Sequence, residues 1–122
     1  MCYEIKKVDS TLLLSFNKNA DLSIDDIVKI SHQLIHLSQN KKDSKLIINA
    51  NSNFINITDE AQNYLKTNSF LKNNFKSHAY VTQLLSNRIT AHLLKTKLIS
   101  SKSEVFKNEE EASKWLDEIN LN

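Results

Sequence analysis

The sequence predicts an α/β fold. It reads as a mostly parallel, five-stranded sheet with an antiparallel N-terminal edge strand and about four helices, in one domain covering residues 1–122. Two observations predict it. Short, continuously apolar runs such as Leu46-Ile47-Ile48 have the composition of strands buried on both faces. Helical patterns of about 10 to 15 residues separate these runs, which is the rhythm of strand–helix–strand crossovers over a parallel sheet.

The elements follow in order. "YEIKKV" alternates weakly and "STLLLSF" is continuously apolar. The short "DS" between them predicts a hairpin with its first strand at an edge. Ser23 is placed to cap a helix, with Asp26 at its third position as a shortened capping box. Asp25 and Asp26 also suit the positive end of the helix dipole. Ile24, Ile27, Val28, Ile30, Leu34, Ile35 and Leu37 then cover about half of the helix circumference. After the polar "KKDSK", "LIINA" predicts a strand. Thr58 caps a second helix with Asp59 and Glu60 in its first turn. Its expected apolar face is Ala61, Tyr64, Leu65, Leu71 and Phe75, with a break near Asn68. "HAYVTQLL" predicts the next strand, Ser86 the cap of a helix running to about Ile99, and "SEVF" a short strand. Asn108 with Glu111 forms an N-x-x-E box that starts the last helix, which buries Ala112, Trp115, Leu116 and Ile119.

The totals narrow the functions. The chain has 122 residues, 40% apolar and 25% charged, enough for a core in a single domain of ordinary size. A net charge of +2 does not call for a nucleic-acid partner, and aromatic and basic residues do not interleave as in single-strand binders. No apolar run is long enough to span a membrane. "MCYEIKKVD" has no apolar signal segment, and the single cysteine, Cys2, permits no internal disulfide. A reducing cytoplasm is therefore expected.

Glycine and proline are both absent. Without glycine there is no G-x-G-x-x-G fingerprint, no G-x-x-x-x-G-K-[ST] phosphate loop and no G-x-S-x-G elbow. Asparagine is the residue next best suited to left-handed turns. It is expected to take glycine's place at Asn40 and at Asn73 or Asn74, and in the loop Asn49-Ala50-Asn51-Ser52-Asn53. That loop leaves the carboxyl end of a strand, where open α/β sheets hold their ligands. Its amides and hydroxyls supply neither a base nor a metal cluster.

The tail "SNRITAHLLKTKLISSKSEVFKNEEEASKWL" resembles the closing segment of small bacterial STAS-like proteins with the SpoIIAA-like fold. The residues that carry the resemblance are Arg88 near a helix start, Phe106 at a strand end, Glu109 to Ala112 and Trp115-Leu116. The order of elements agrees from about Tyr3 to Ile119. The resemblance implies a (βα) superhelix of about four turns. It also implies a regulatory or docking role, since the best-known members are anti-sigma-factor antagonists switched by phosphorylation of a serine in an Asp-Ser-[Ser/Thr]-Gly motif. The matching region here, "NANSNFINITDEA", has no Asp-Ser pair and no glycine. Thr58 stands nearest to that position and Ser52 earlier in the loop, and these are the candidate phosphoacceptors.

The remaining candidates lie on one helix. Arg88, the only arginine, offers a bidentate fork in a first turn where the dipole disfavours a cation, which hints at a partner: an internal salt bridge to a carboxylate of the chain is the first expectation, and capture of an anionic head group or a partner's acid the alternative. Leu85, Ile89, Leu93 and Ile99 make one apolar face with His92 among them, and Ala91, Leu94 and Leu98 make another. A helix apolar on two sides is either deeply buried or touches something besides its own sheet. His32 and His36 stand at i, i+4 but lack the glutamate and third ligand of a zinc helix, so they read as solvated residues and no metal or cofactor is expected. The leading expectation is a non-enzymatic interaction module that contacts a protein partner or itself as a homodimer, through Arg88, His92, Leu94 and Leu98. The alternative is a carrier or sensor of a small, amphipathic, lipid-like ligand.

Overall fold

β1 (Tyr3–Val8) pairs antiparallel with β2 (Thr11–Phe16), with Val8 opposite Thr11, so two residues make the turn. Asp9, the first of them, has φ 55°, the left-handed conformation that a two-residue hairpin needs. The computed structural model describes residues 3–9, 11–38, 44–51, 53–68, 75–97 and 102–119. Asn40, Leu71, Asn73, Asn74 and Ile99 lie outside them.

The chain continues through β3 (Ala20–Leu22), α1 (Ile24–Ser38), β4 (Ser44–Asn51), β5 (Ile55–Ile57), α2 (Asp59–Asn68), β6 (Phe75–Thr82), α3 (Leu85–Lys97), β7 (Lys102–Phe106) and α4 (Glu109–Ile119). The main sheet has the order β1-β2-β4-β6-β7, and every pairing after the first is parallel. This is the five-stranded arrangement expected from the apolar runs, with the antiparallel strand at the edge.

The helix starts form as their local chemistry dictates. At α1 the Asp26 carboxylate accepts from the Ser23 N–H at 3.0 Å, and the Asp26 N–H donates to Ser23 Oγ at 3.3 Å. At α4 the Glu111 N–H donates to Asn108 Oδ1 at 2.8 Å. Strand alternation then divides the core in two. Leu12, Leu14, Phe16 and Leu46 face α1 and α2, packing on Ile27, Ile30, Leu34, Ala61 and Leu65. Ile47, Ala79 and Val81 face the other way, onto Ala112 and Leu116 of α4.

Three features depart from expectation. Phe75 does not belong to the face of α2; it opens β6 and is fully buried. Its apolar side chain suits either face, and parallel pairing beside Ser44 decides the matter. β6 also ends at Thr82, and α3 begins at Leu85 rather than after a Ser86 cap. Thr82 Oγ1 accepts the Leu84 N–H at 3.3 Å, and the first helical turn closes when the Arg88 N–H donates to the Leu84 carbonyl at 3.0 Å. Finally, β3 and β5 form a two-stranded parallel ribbon, Ala20 opposite Ile55 and Leu22 opposite Ile57. β3 follows the end of β2 and β5 the end of β4, so the ribbon extends the carboxyl edge of the sheet.

Candidate functional site

The carboxyl edge of the sheet encloses a cavity of about 110 Å³, partly open to solvent. The sheet contributes Leu14, Phe16, Ile48 and Tyr80, the helices Ile27, Leu34 and Ala91, and the ribbon Leu22, Ile55 and Ile57. The wall is almost wholly aliphatic and aromatic. It forms because four connections leave the strand ends here, and the ribbon holds two of them away from the sheet.

The asparagines of the "NANSNF" loop shape this edge. Asn51 has φ 50°, so it occupies the left-handed conformation that glycine usually fills. Asn49 Oδ1 accepts the Asn51 N–H at 2.9 Å, and Asn49 Nδ2 donates to Glu109 Oε2 at 2.7 Å, tying the loop to the start of α4. Asn53 Nδ2 donates to the Phe16 carbonyl at 2.9 Å. Ser52 lies outside the described residues. The neighbouring amides are engaged in backbone positioning, as the turn-making reading of this loop expects.

Asn87 joins the edge to α3. Its Nδ2 donates to the Asn53 carbonyl at 2.7 Å and to Thr82 Oγ1 at 3.1 Å, and its Oδ1 accepts the Ile55 N–H at 3.0 Å. The Thr82 hydroxyl in turn donates to the Asn51 carbonyl at 3.0 Å. Ser31, also on the wall, donates to the Ile27 carbonyl at 2.7 Å. These polar side chains are spent on the fold.

Tyr80 differs from them. It lines the cavity with only 6% of its surface exposed, and its hydroxyl has no hydrogen-bond partner among the described residues. Burial pushes its pKa up. Two residues earlier on the same face of β6, His78 is fully buried between Leu46 and Ser103, and neither ring nitrogen has a hydrogen-bond partner among the described residues. Desolvation lowers its pKa from 6.5 to about 4, so it is neutral at pH 7. Each unpaired buried polar group of this kind costs about 1–3 kcal/mol. Neither residue stood out in the sequence. The available signal was "HAY" in a central strand, where a period of two puts His78 and Tyr80 on one face.

The candidates singled out from sequence are dispersed. Thr58 is the cap of α2: its Oγ1 accepts the Ala61 N–H at 3.2 Å and its N–H donates to the Leu22 carbonyl at 3.1 Å. Arg88 is half-buried in the first turn of α3, and no described carboxylate pairs with it. His92 is exposed one turn further on. Leu85 and Ile89 are exposed at 71% and 54%, while Asn87 and Ala91 on the opposite side of α3 are buried. Leu94 falls within α3 by its backbone, and Leu98 lies outside the described residues. Thus Leu85, Arg88, Ile89 and His92 share the outer part of one helix, remote in role from Thr58. His32 and His36 are both exposed on α1.

This architecture defines a class. A crystal structure of an uncharacterised protein of the DUF3478 family with a SpoIIAA-like fold, from Shewanella loihica PV-4, superposes with a TM-score of 0.67 at 16% identity, covering 93% of this chain and 91% of that one. The chain therefore has the SpoIIAA-like fold. Within that class, residues 3–120 match the family model described as domain of unknown function DUF7793, and the chain belongs to that family. No curated protein matches it. Among the described residues, no helix is long and apolar enough to cross a membrane.

Proposed function

We propose that this domain is a non-enzymatic protein-interaction module of the cytoplasm whose contact surface is the outer face of α3. The observation that carries the reading is the exposure of Leu85 and Ile89, one turn apart, beside an Arg88 that no described carboxylate neutralises. Large aliphatic side chains grouped on one helix face are the usual core of a contact patch, and an unspent guanidinium supplies an anchor for a partner's acid. The α3 sequence, LSNRITAHLLKTK, contains no acidic residue. A symmetric contact of two copies through α3 would bring two cationic helices together, so the favoured occupant is another protein with an apolar ridge flanked by acidic residues.

Burying one leucine and one isoleucine contributes roughly 1.5–3 kcal/mol each. Leu85→Glu with Ile89→Glu is therefore expected to weaken the contact on the order of a hundredfold or more while leaving the fold intact, since both side chains are outside the core. The test is purification of the tagged full chain from its own source, wild type beside the double variant, with circular dichroism as the folding control. A stoichiometric acidic partner held by the wild type and lost by the variant is the expected result. A set of bound proteins that ignores the double substitution would sink the reading, and a variant-sensitive homodimer would replace the acidic partner with a second copy.

A further inference from the structure

We propose that the cavity at the carboxyl edge of the sheet binds a small hydrocarbon body, about one ring in size, and discriminates against any polar group brought in with it. The proposal is independent of the α3 surface: it rests on the inner wall, not on Leu85 or Ile89.

The chemistry of the wall comes first. Leu14, Phe16, Ile27, Leu34, Ile48 and Ile57 present carbon from sheet, helix and ribbon. Four wall residues carry side-chain polar atoms, Ser31, Tyr80, Thr82 and Asn87, and none of them is available to a ligand. Ser31 gives its proton to the Ile27 carbonyl. The Thr82 hydroxyl donates to the Asn51 carbonyl and accepts from the Leu84 N–H and from Asn87 Nδ2. The Asn87 amide is used at both ends, Nδ2 on the Asn53 carbonyl and Oδ1 on the Ile55 N–H. The Tyr80 oxygen is buried beyond the reach of a water-sized group. A polar group entering the cavity would lose its water and find no partner, whereas a hydrocarbon gives up nothing. Water itself answers poorly, because a buried water needs two to four polar partners.

Size is the second argument. The cavity measures about 110 Å³. Protein interiors are packed as closely as organic crystals and hold few voids larger than a water molecule. An engineered apolar cavity of about 150 Å³ in another protein takes benzene, so a single ring or a chain end of similar bulk is the right scale here.

Position is the third. The site lies at the carboxyl ends of β2, β4 and β6, where open α/β sheets place ligands. Asn87 fastens α3 to the ribbon on its rim, so the walls are braced without the ligand. The cavity is partly open to solvent, so the body can be a free hydrocarbon or the end of an acyl chain whose head group stays outside.

The test uses the full chain with benzene, phenol and octanoate as probes, each followed by amide chemical-shift titration. Benzene should shift the amides around Ile48, Ile57 and Ala91. Phenol, the same ring with one hydroxyl, should bind roughly tenfold or more weakly, since that hydroxyl is buried without a partner. Octanoate separates the two sources: shifts at the same amides assign the site to the end of an acyl chain, and shifts with benzene alone assign it to a free hydrocarbon. Ala91→Leu should fill the space and abolish binding; should that variant not fold, Ala50→Val fills it from the strand side. The proposal is overturned if neither benzene nor octanoate shifts these amides up to its solubility. It is equally overturned if phenol binds as tightly as benzene, or if the filled variant binds as before.

Discussion

The imidazole of His78 stands edge-on to the ring of Tyr80, with 5.4 Å between centroids and 78° between planes. Both side chains are buried on the face of β6 that the α1 and α2 side of the core covers, and the two rings touch there. An edge-to-face pair contributes about 0.5–1.5 kcal/mol beyond burial. That is less than the cost of leaving two ring nitrogens unpaired. The pair is thus a site where the core holds polarity at a net loss.

The loss makes stability depend on pH. His78 has a folded pKa of about 4 against 6.5 unfolded. Between these values the unfolded chain binds a proton that the folded chain refuses, so stability falls as pH drops from about 6.5 to 4 and is unaffected by this group above 6.5. The full effect is about 3 kcal/mol. Urea unfolding at pH 7 and pH 4.5 checks it, with His78→Phe as reference. The difference between wild type and variant should shift by most of that amount toward the variant at the lower pH; a constant difference would mean that His78 is protonated or paired in the folded protein.

Asn87 is expected to be the most costly single polar residue to lose. Replacing it with alanine strands the Ile55 N–H and the Asn53 carbonyl, both held at 3.0 Å or closer. Because Ile55 and Asn53 are only half-buried, water recovers part of the loss, and the expected destabilisation is about 2 kcal/mol. Asn87→Asp keeps the acceptor for Ile55 but cannot donate to the Asn53 carbonyl or Thr82 Oγ1, so it should fall short of the wild type as well. Hydrogen exchange at Ile55 is the direct readout, and equal protection in wild type and Asn87→Ala would show that the ribbon stands without this link.

Thr58 tests the cap against the phosphoacceptor reading. Its Oγ1 accepts the Ala61 N–H, so Thr58→Ala should cost about 1 kcal/mol of stability. Thr58→Asp retains a good capping oxygen and should restore most of it. Asp59 and Glu60 follow immediately, so a phosphate here would meet two like charges. A thermal melt of the three proteins separates these outcomes. A loss on Thr58→Asp as large as on Thr58→Ala would show that the hydroxyl does more than cap.

How much was legible in the sequence follows from these particulars. The five-stranded sheet could be read because Leu12–Leu14, Leu46–Ile48 and Tyr80–Val81 are runs whose burial is a local property. The caps at Ser23, Thr58 and Asn108 were legible because each bond closes within three residues. The ribbon was not, since three-residue strands carry no period and are fixed only by pairing across 35 residues, Ala20 to Ile55. Phe75 was misplaced for the same reason. Arg88 and the two apolar sides of α3 were visible; Leu85 and Ile89 of one side are exposed, and Ala91 of the other is buried. The cavity was invisible, because it arises from how four connections leave the sheet, and so was the isolation of Tyr80, which depends on what its neighbours bond to.

The chain's lack of glycine gives a last prediction at Asn51. With φ at 50°, this position asks for a residue that tolerates the left-handed region. Asn51→Gly should therefore be close to neutral, within about 0.5 kcal/mol, since it relieves residual strain but loosens the unfolded chain. Asn51→Val forces a β-branched side chain into the same conformation, at about 1–2 kcal/mol for the backbone alone. The cost spreads further, because the Asn51 carbonyl accepts from Thr82 Oγ1 and from the Gln83 N–H, both at 3.0 Å. A valine that relaxes toward the extended region turns that carbonyl away and loosens the end of β6 beside Tyr80. Urea midpoints of the two variants decide it: glycine near the wild type and valine well below is expected, whereas two equal losses would place the value of Asn51 in its side chain and not in its backbone.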